Sequence, residues 1–516
     1  MLTIYALIGV VTIHLGSTAR ILGIVPTPSY SHQVVFQPLF RELSLRGHNV
    51  TTITTHPIKD PALTNLTEID LHFSYETWQK GVVANIFDYS TNPIGSTIKM
   101  MASVLEILEQ QLSHQSVQEF LNSKQEFDLV IIEASGCVMH AFIAKYKCPF
   151  IHMLSYDAPS VTYQEIGNPI HPVLYPHDFY SFYEHLPFLY RLTSVITDYL
   201  FKIMVEYAYS YQDKLVSKYF GPNYPPLKEI MENVSMLFVN TDPVFYKVRA
   251  HVPAVIQIGS GTHIKPPRPL PKDLQRELDG AKNGFIYLSL GSNAQSMNMP
   301  IETRNIILET FAELPYKVLW KFESENLPNK PENVLISKWL PQQDILRHPN
   351  IKLFITQGGM QSSEEALYNG VPIIGVPIFG DQFGNIGKMV HKGMGLSIDF
   401  DDLNKKEFQE KILEVIQNPK YRNKVKELAE LAKDQPSTGL ERAVWWSEYV
   451  IRHKGAKHLR SPLLDIPWYQ YLLLDVLAVL LVILAIFLFI LYKVVRYLFC
   501  LIRCRYVYVD PEKKRQ

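Results

Sequence analysis

The sequence predicts an α/β fold with two Rossmann-like, doubly wound domains that face a cleft, followed by one apolar helix near the C-terminus. Short apolar and β-branched runs alternate with helical runs from residue 20 onward, which is typical of parallel sheets. A proline-rich stretch, residues 264–271, interrupts the alternation, and the pattern restarts at residue 285. We therefore predict an N-terminal domain at 20–262, a linker at 263–280 and a C-terminal domain at 281–460.

The N-terminal half opens with a β-α-β unit. Residues 21–26 form a short apolar run, residues 34–47 have helical spacing, and Asn49–Thr54 is β-branched. Further buried strands are predicted at 128–133, 149–154 and 235–242, and the last of these is interpreted as the final strand of this half. Residues 160–230 are rich in Tyr and Phe without clear periodicity, which indicates either the wall of an apolar cleft or plain core.

The C-terminal half repeats the alternation. Strands are predicted at 285–292, 317–322, 333–339, 353–359, 371–377 and 396–400, with a helix from Ile301. A long amphipathic helix follows Gly439. In doubly wound sheets ligands bind beyond the carboxyl ends of the strands, so we look for functional residues there.

Composition excludes several classes of protein. The 516 residues are 47% hydrophobic and 19% charged, which excludes a disordered or fibrous chain. Lys+Arg and Asp+Glu both number 50, so there is no basic excess to attract nucleic acid. Four cysteines are too few for a disulfide scaffold. No metal-ligand spacing occurs, and we predict no metal site. The sequence leaves the oligomeric state open, and a homo-oligomer is one of the options.

Both ends of the chain indicate a membrane protein. Residues 1–19 are typical of a signal peptide, although a buried strand is the alternative. Residues 472–492 are long and apolar enough to span a bilayer. Seven basic residues follow the core of this span and two precede it, which predicts a lumenal body and a cytosolic tail at 493–516. Lys513 and Lys514 resemble a dilysine signal for the endoplasmic reticulum. Sequons at Asn49, Asn65 and Asn233 fall on the lumenal side.

The stretch 354–385 carries the strongest chemical signal. A strand ends at Gly358-Gly359, and a helix is predicted to start near Ser362. Glycines allow backbone N–H groups to approach an anion, and a helix N-terminus adds positive potential, so this turn suits a diphosphate. Asp381 and Gln382 follow the next strand and supply the acceptors and donors that sugar hydroxyls need.

This stretch resembles the signature of the UDP-glycosyltransferases, the family that includes the UDP-glucuronosyltransferases, and its details are most similar to the insect branch. The resemblance extends over nearly the whole chain. It implies the GT-B fold, with the acceptor site in the N-terminal domain and the UDP-sugar site in the C-terminal domain. The matching residues are Phe354-Ile355-Thr356, Gly358-Gly359, Ser362, Glu365-Ala366, Gly370-Val371-Pro372, Pro377, Phe379, Asp381-Gln382 and Asn385.

The resemblance also implies roles at the donor site. Trp339 would stack on uracil, and Gln342 would contact the edge of the base. Ser292 would bind the diphosphate with the region of Gly359 and Gln361, and Glu365 would take the ribose hydroxyls. Asp381 and Gln382 would hold the sugar. The full set of donor-binding candidates is Ser292, Trp339, Gln342, Gln357, Gly358, Gly359, Gln361, Ser362, Glu365, Asp381 and Gln382.

His32, interpreted as part of the loop after the first strand, is the candidate general base. The ordinary pKa of histidine, roughly 6.5, suits that role. The resemblance makes His32 the base that activates an acceptor hydroxyl, with inversion at the anomeric carbon. An imidazolium needs an orienting carboxylate. The family usually has Asp where this chain has Glu133, and Asp157 is the less favoured substitute.

A second departure from the family pattern is Gln357, where many relatives have His. Gln retains a donor for the diphosphate without carrying charge.

We therefore predict an inverting transferase that moves glucose or glucuronate from a UDP-sugar to a hydroxyl of a small lipophilic acceptor. The UDP-sugar is a co-substrate, and no cofactor is predicted. The alternatives are a UDP-sugar-binding membrane protein without catalysis and a membrane scaffold without UDP affinity.

Overall fold

The computed structural model describes residues 18–88, 93–176, 187–246, 248–259 and 261–508. Packing divides the chain into two units, one ending at Arg460 and the other beginning at Ser461. The predicted signal peptide falls almost wholly outside the described residues, and so do Lys513 and Lys514. The described first unit begins just before a strand at Arg20, with Ala19 already buried.

The first sheet has seven parallel strands in the order β3-β2-β1-β4-β5-β6-β7. The prediction that residues 235–242 form the last strand of this half is wrong. A three-residue strand, β7, follows in sequence and forms the edge of the sheet beside β6. So short a run of residues gives no recognisable hydrophobic pattern. The strands are β1 (Arg20–Val25), β2 (Asn49–Thr54), β3 (Leu66–Asp70), β4 (Leu129–Glu133), β5 (Phe150–Leu154), β6 (Met236–Val239) and β7 (Val255–Gln257).

Eight α-helices connect these strands within the described residues. The first begins four residues earlier than predicted, and the longest occupies a region for which no helix was predicted. The helices are α1 (Tyr30–Leu45), α2 (Ser74–Gly81), α3 (Pro93–Ser113), α4 (Gln115–Asn122), α5 (Ala141–Tyr146), α6 (Ser160–Glu165), α7 (Phe188–Tyr219) and α8 (Leu227–Met231). Short 3₁₀ helices lie at Val83–Asp88 and Cys137–His140.

The first sheet is buried on both faces, as expected for parallel strands. Leu22 and Ile24 of β1 pack in one apolar cluster, together with Val130 of β4. Ile21 and Val25 of the same strand pack in a second cluster on the opposite face. Successive side chains of a strand alternate between faces, so β1 contributes to both layers of core.

The second sheet has six parallel strands in the order β10-β9-β8-β11-β12-β13. Its strands are β8 (Phe285–Ser289), β9 (Lys317–Lys321), β10 (Val334–Ser337), β11 (Ile351–Thr356), β12 (Ile373–Gly375) and β13 (Gly395–Ser397). The linker region from 264 to 270 has no helix or strand. The helices are α9 (Lys272–Asp279), α10 (Ile301–Ala312), α11 (Gln342–Leu346), α12 (Met360–Tyr368), α13 (Gln382–His391), α14 (Lys405–Gln417), α15 (Pro419–Lys433) and α16 (Gly439–His453).

The helix α16 returns to the first sheet. Ala443, Val444 and Val450 are buried in the same cluster as Ile21 and Leu129. Thr438 caps the helix, because its hydroxyl accepts from the backbone of Glu441 while the Glu441 side chain accepts from the backbone of Thr438. The chain therefore completes the core of its first half with its last helix before Arg460.

The second unit contains α17 (Trp468–Tyr471) and α18 (Leu474–Tyr508). The segment Leu474–Arg505 is long and apolar enough to cross a membrane, and an 18-residue window within it has a mean hydropathy of 3.2. This candidate span starts two residues after the predicted one and continues further, because α18 remains helical through the basic residues that were assigned to the tail.

Candidate active site

Strand order brings two pairs of loops together. In the first sheet β1 and β4 are neighbours, and in the second sheet β8 and β11 are neighbours, although many residues separate each pair in sequence. Loops at the carboxyl ends of such neighbours form the usual ligand crevice of doubly wound folds. All predicted site residues line one cavity of about 770 Å³, except Glu133 and Gly358, which adjoin or contact residues that do.

His32 and Glu133 form a direct pair at the first of these switch points. Nδ1 of His32 lies 2.5 Å from Oε1 of Glu133, and the N–H of Thr27 donates to Oε2 at 3.2 Å. The Glu133 side chain is fully buried, whereas that of His32 is 23% exposed and lines the cavity. Burial opposes ionisation of Glu133, but His32 and Thr27 outweigh it, so the pKa of Glu133 is lowered.

His32 lies in the first turn of α1 and not in a loop as predicted. Gln33, which the sequence did not single out, holds this turn in place. Its Nε2 donates to the carbonyls of Val25 and Thr27 at 3.0 and 2.8 Å, and its Oε1 accepts from Thr54. The only signal for Gln33 in the sequence was its position directly after the candidate base. These bonds join the end of β1 to the helix that carries His32.

Asp157, the alternative partner of His32, is engaged elsewhere. It accepts from the hydroxyl of Tyr163 at 2.6 Å and from Nη2 of Arg249 at 3.2 Å. Among the described residues, Glu133 is therefore the carboxylate in contact with His32. The extra methylene of Glu relative to Asp still allows this contact.

The turn from β11 to α12 brings the glycines to the cavity. Gly358 has φ = +86°, and a Cβ at this position would lie 2.5 Å from Cγ1 of Ile386. Gly359 immediately precedes α12, and Gln357 is buried beside Gly291 of the loop after β8. Oε1 of Gln357 has no hydrogen-bond partner among the residues that the structure describes. Gln357, Gly359 and Ser292 line the same cavity.

Three further candidates form one hydrogen-bonded network. Nε2 of Gln342 donates to Oγ of Ser362 at 2.9 Å and to Oε2 of Glu365 at 2.7 Å. Tyr287 donates its hydroxyl to Oε1 of Gln342 at 3.1 Å. Trp339 lines the same cavity, and 57% of its surface is exposed. An exposed indole beside ordered polar groups is a suitable platform for a planar base.

His263, which no sequence pattern indicated, lies beneath Glu365. Its Nε2 is 3.5 Å from Oε1 of Glu365, and its Nδ1 is 3.2 Å from Oε2 of Glu364. All three side chains are buried. Burial alone would lower the pKa of His263, but the two carboxylates outweigh it and raise the pKa to about 10. A buried imidazolium therefore lies against the carboxylates of Glu364 and Glu365.

Asp381 and Gln382 lie where α13 begins. Asn385 donates to Oδ2 of Asp381 at 2.8 Å. Oε1 of Gln382 accepts from the N–H groups of Ile378 and Phe379, so its orientation is fixed and its amide nitrogen is the remaining donor. Both side chains line the cavity.

Gln361 contacts the opposite half of the protein. Its Nε2 donates to the carbonyl of Ser155, which follows β5, at 2.8 Å. The residue lines the cavity, although the hydrogen bond of its side-chain amide is to the protein backbone. The structure therefore places Gln361 at the boundary between the two sheets.

These facing sheets and their shared cavity define the GT-B fold. Two solved structures have the same fold: a glycotransferase of kitacinnamycin (TM-score 0.58, 16% identity, 85% of this chain and 99% of that one) and the spinosyn forosaminyltransferase SpnP (TM-score 0.56, 16% identity, 84% and 100%). At this identity the similarity shows the fold alone.

The family follows from sequence. A family model described as UDP-glucoronosyl and UDP-glucosyl transferase matches residues 20–506. UDP-glycosyltransferase UGT5 of the insect Dactylopius coccus is 36% identical over 96% of both chains. Human UDP-glucuronosyltransferase 2B15 is 31% identical over 97% of this chain and 96% of its own. The chain belongs to the UDP-glycosyltransferase family, so it is a glycosyltransferase that takes a sugar from a UDP-sugar. The resemblance predicted from residues 354–385 is confirmed.

Proposed function

We propose that the chain transfers glucose or glucuronate from a UDP-sugar to a hydroxyl of a small lipophilic acceptor, with inversion. The observation that carries this proposal is the contact of His32 with buried Glu133 at the edge of the shared cavity. Such a pair is the arrangement expected of a general base and its orienting carboxylate.

In this mechanism the free Nε2 of His32 takes the proton of the acceptor hydroxyl. The acceptor oxygen attacks the anomeric carbon, the bond from that carbon to the UDP oxygen breaks, and UDP leaves from the opposite face. The proton stays on His32 as an imidazolium. Glu133 stabilises that cation because its carboxylate is buried, ionised and in contact with Nδ1.

The donor would occupy the C-terminal side of the cavity. Uracil would stack on Trp339, with Gln342 at its edge, and the ribose hydroxyls would meet Glu365. The diphosphate would lie at Ser292 and the turn Gln357–Gly359. Asp381 and Gln382 would bind the hexose. The hydrogen bonds that hold Gln342, Glu365 and Gln382 in place support these roles.

The acceptor would occupy the N-terminal side. That part of the cavity is lined by apolar side chains from α2, α3 and the segments that follow them, which favours a lipophilic molecule. The residues are Trp78, Val82, Met100, Val104, Ile107, Leu108, Ile170 and Phe201.

We place the enzyme in the endoplasmic reticulum membrane, with a lumenal body and a cytosolic C-terminus. The candidate span in α18 and the seven basic residues after its core support this topology. Protease protection of sealed microsomes tests it, because only an epitope at the C-terminus should be digested. Digestion of the body would contradict the proposed orientation.

The first test of the activity measures UDP release by membranes that contain the full chain. UDP-glucose and UDP-glucuronate are supplied in turn with a panel of phenols and steroids. We expect acceptor-dependent release with one donor and its loss in His32→Ala, with UDP binding retained. His114→Ala, outside the cavity, is the matched control. Turnover at the wild-type rate in His32→Ala would exclude the base, and UDP binding without any product would favour a binding protein.

A further inference from the structure

We propose that Asn293 is a positioning residue that links the donor side of the cavity to the turn that carries His32 and to the acceptor wall. Asn293 lies in the loop after β8, directly after Ser292, and both residues line the cavity. Its side chain makes two hydrogen bonds to the first-sheet half of the protein. Nδ2 donates to Oγ of Ser29 at 3.1 Å, and Oδ1 accepts from Nε1 of Trp78 at 3.4 Å. This role rests on the proposed function, which assigns Ser292 to the diphosphate and His32 to proton transfer.

Ser29 is the residue through which Asn293 reaches the candidate base. It is the N-cap of α1, where a serine hydroxyl usually accepts from the first turn of the helix, but its side chain makes no such bond. The hydroxyl instead meets Asn293 and lies 3.0 Å from Oγ of Ser31. The carbonyl of Ser29 accepts from the backbone N–H groups of His32 and Gln33 at 3.0 and 3.2 Å. A shift of Ser29 would therefore move the backbone of His32.

Trp78 is the residue through which Asn293 reaches the acceptor wall. Its side chain is buried, and an indole N–H can only donate, so it needs an acceptor inside the protein. The amide oxygen of Asn293 is that acceptor, which leaves the amide nitrogen to face Ser29. Trp78 packs with Val82 and with Ile107 of α3, and all three line the cavity. Asn293 therefore also holds the side of the cavity that we assign to the acceptor.

The two hydrogen bonds give the three parts of the site a common reference point. A ligand bound at Ser292 would restrict the loop after β8, and the amide of Asn293 would pass that restriction to α1 and α2. Holding reacting groups in one geometry is a major source of rate acceleration. Alanine at position 293 would leave Ser292 in place but would release the other two parts. We therefore expect a loss in turnover with little change in UDP binding.

Hydrogen exchange of the full chain in detergent micelles, with and without saturating UDP, tests this link without requiring turnover. In the wild-type chain, UDP should slow amide exchange several-fold in the peptide of α2 and in the peptide of the first turn of α1. In Asn293→Ala, UDP should still slow exchange at the glycine turn before α12, but the slowing in α2 should be lost. The slowing in α1 should be reduced, because the contact between Tyr30 and Trp339 remains.

Asn298→Ala is the matched control for the exchange experiment. Asn298 is an exposed asparagine of the same connection between β8 and α10, and it does not line the cavity. Its alanine variant should show the slowing of wild type. The proposal would be overturned if UDP left α2 unaffected in wild type, or slowed it equally in Asn293→Ala. Loss of UDP binding in Asn293→Ala would also overturn it, because Asn293 would then be a donor ligand.

Initial-rate kinetics provide a second readout. Asn293→Ala should lower kcat by up to about tenfold, the order expected for one lost hydrogen bond, with little change in KM for the UDP-sugar. Ser29→Ala should also lower kcat, and the double variant should be no slower than Asn293→Ala, since both changes remove the same bond. Losses that multiply in the double variant would contradict the link. Absence of turnover in wild type would refute the proposed function and leave hydrogen exchange as the deciding measurement.

Discussion

At the scale of single residues, two buried charged groups of opposite sign lie below the cavity. Glu133 is an ionised carboxylate held by His32 and Thr27. His263 is an imidazolium held by Glu364 and Glu365. Each buried charge is paired, because an unpaired ion in the interior is strongly destabilising. Under the proposed function, the first pair would orient a ring for proton transfer, and the second would place a cation beside the carboxylate proposed to bind ribose.

Glu133→Gln should lower turnover by about 10³–10⁴-fold, by analogy with the loss of a triad carboxylate. The amide keeps the shape of the side chain but does not stabilise an imidazolium. Steady-state kinetics with unchanged UDP binding checks this. Glu133→Asp is the matched control, since it keeps the charge and should retain more activity. Equal rates for the Gln variant and wild type would remove Glu133 from the mechanism.

His263→Gln should destabilise the fold by about 3–5 kcal/mol, because two buried carboxylates lose their counterion. The pKa of His263 is raised in the folded state, from 6.5 to about 10. Its contribution is therefore complete below pH 6.5 and is lost as pH rises through 10. Thermal unfolding of the detergent-solubilised chain from pH 5 to 10 should show that the difference in melting temperature between wild type and His263→Gln shrinks over that window. The exposed control His453→Gln should have the melting temperature of wild type. A difference for His263→Gln that does not depend on pH would contradict the assignment of His263 as a buried imidazolium.

At the scale of elements, the strand-turn-helix unit from β11 to α12 carries much of the proposed donor site. The motif predicted a strand ending at paired glycines and a helix near Ser362, and the helix begins two residues earlier, at Met360. Gly358 closes the turn with a positive φ and has no space for a side chain. The unit therefore requires glycine for conformation and for packing together.

Gly358→Ala should cost about 1–3 kcal/mol of stability and weaken UDP binding, because the turn must shift away from Ile386. Thermal unfolding and UDP titration measure the two effects. Gly221→Ala separates the two causes, since Gly221 also has a positive φ, +104°, but nothing within 4 Å of a built Cβ. Equal losses in both variants, with UDP binding intact, would mean that packing at Gly358 is unimportant.

At the scale of the whole first unit, residues of the second-sheet half contact the first-sheet half at the start of α1. Asn293, after β8, donates to Oγ of Ser29 at 3.1 Å. The rings of Tyr30 and Trp339 meet edge to face, with centroids 5.1 Å apart. Trp339, the proposed platform for uracil, therefore touches the helix turn that carries His32, and we expect donor binding to affect the position of the proposed base.

Tyr30→Ala should lower kcat/KM for the UDP-sugar by up to about tenfold, because an aromatic pair contributes about 0.5–1.5 kcal/mol beyond its buried area. Initial-rate kinetics over both substrates measure the change. Tyr30→Phe keeps the ring and should behave nearly as wild type. If Ala and Phe variants were equally active, the contact with Trp339 would not position the base.

Local sequence was sufficient for the alternation of strands and helices, the Gly358-Gly359 turn and the apolar segment near the C-terminus. Each depends on short-range periodicity, backbone freedom or hydropathy, which a linear reading detects. The long helix α7 was missed because apolar residues lie on both its buried and its exposed faces, so its sequence has no clear amphipathic period. Glu133 was named as a candidate through family resemblance alone.

Only the tertiary structure decided which of these residues meet. Glu133 is 101 positions from His32, yet β1 and β4 are neighbours, so the ends of the two strands lie side by side. His263 reaches Glu365 from the start of the predicted linker, and Asn293 reaches Ser29 from the loop after β8 of the other sheet. Such contacts depend on the order of strands in each sheet and on how the sheets face each other. Local sequence preferences determine the elements, but the assembled fold determines the distances on which the chemistry depends.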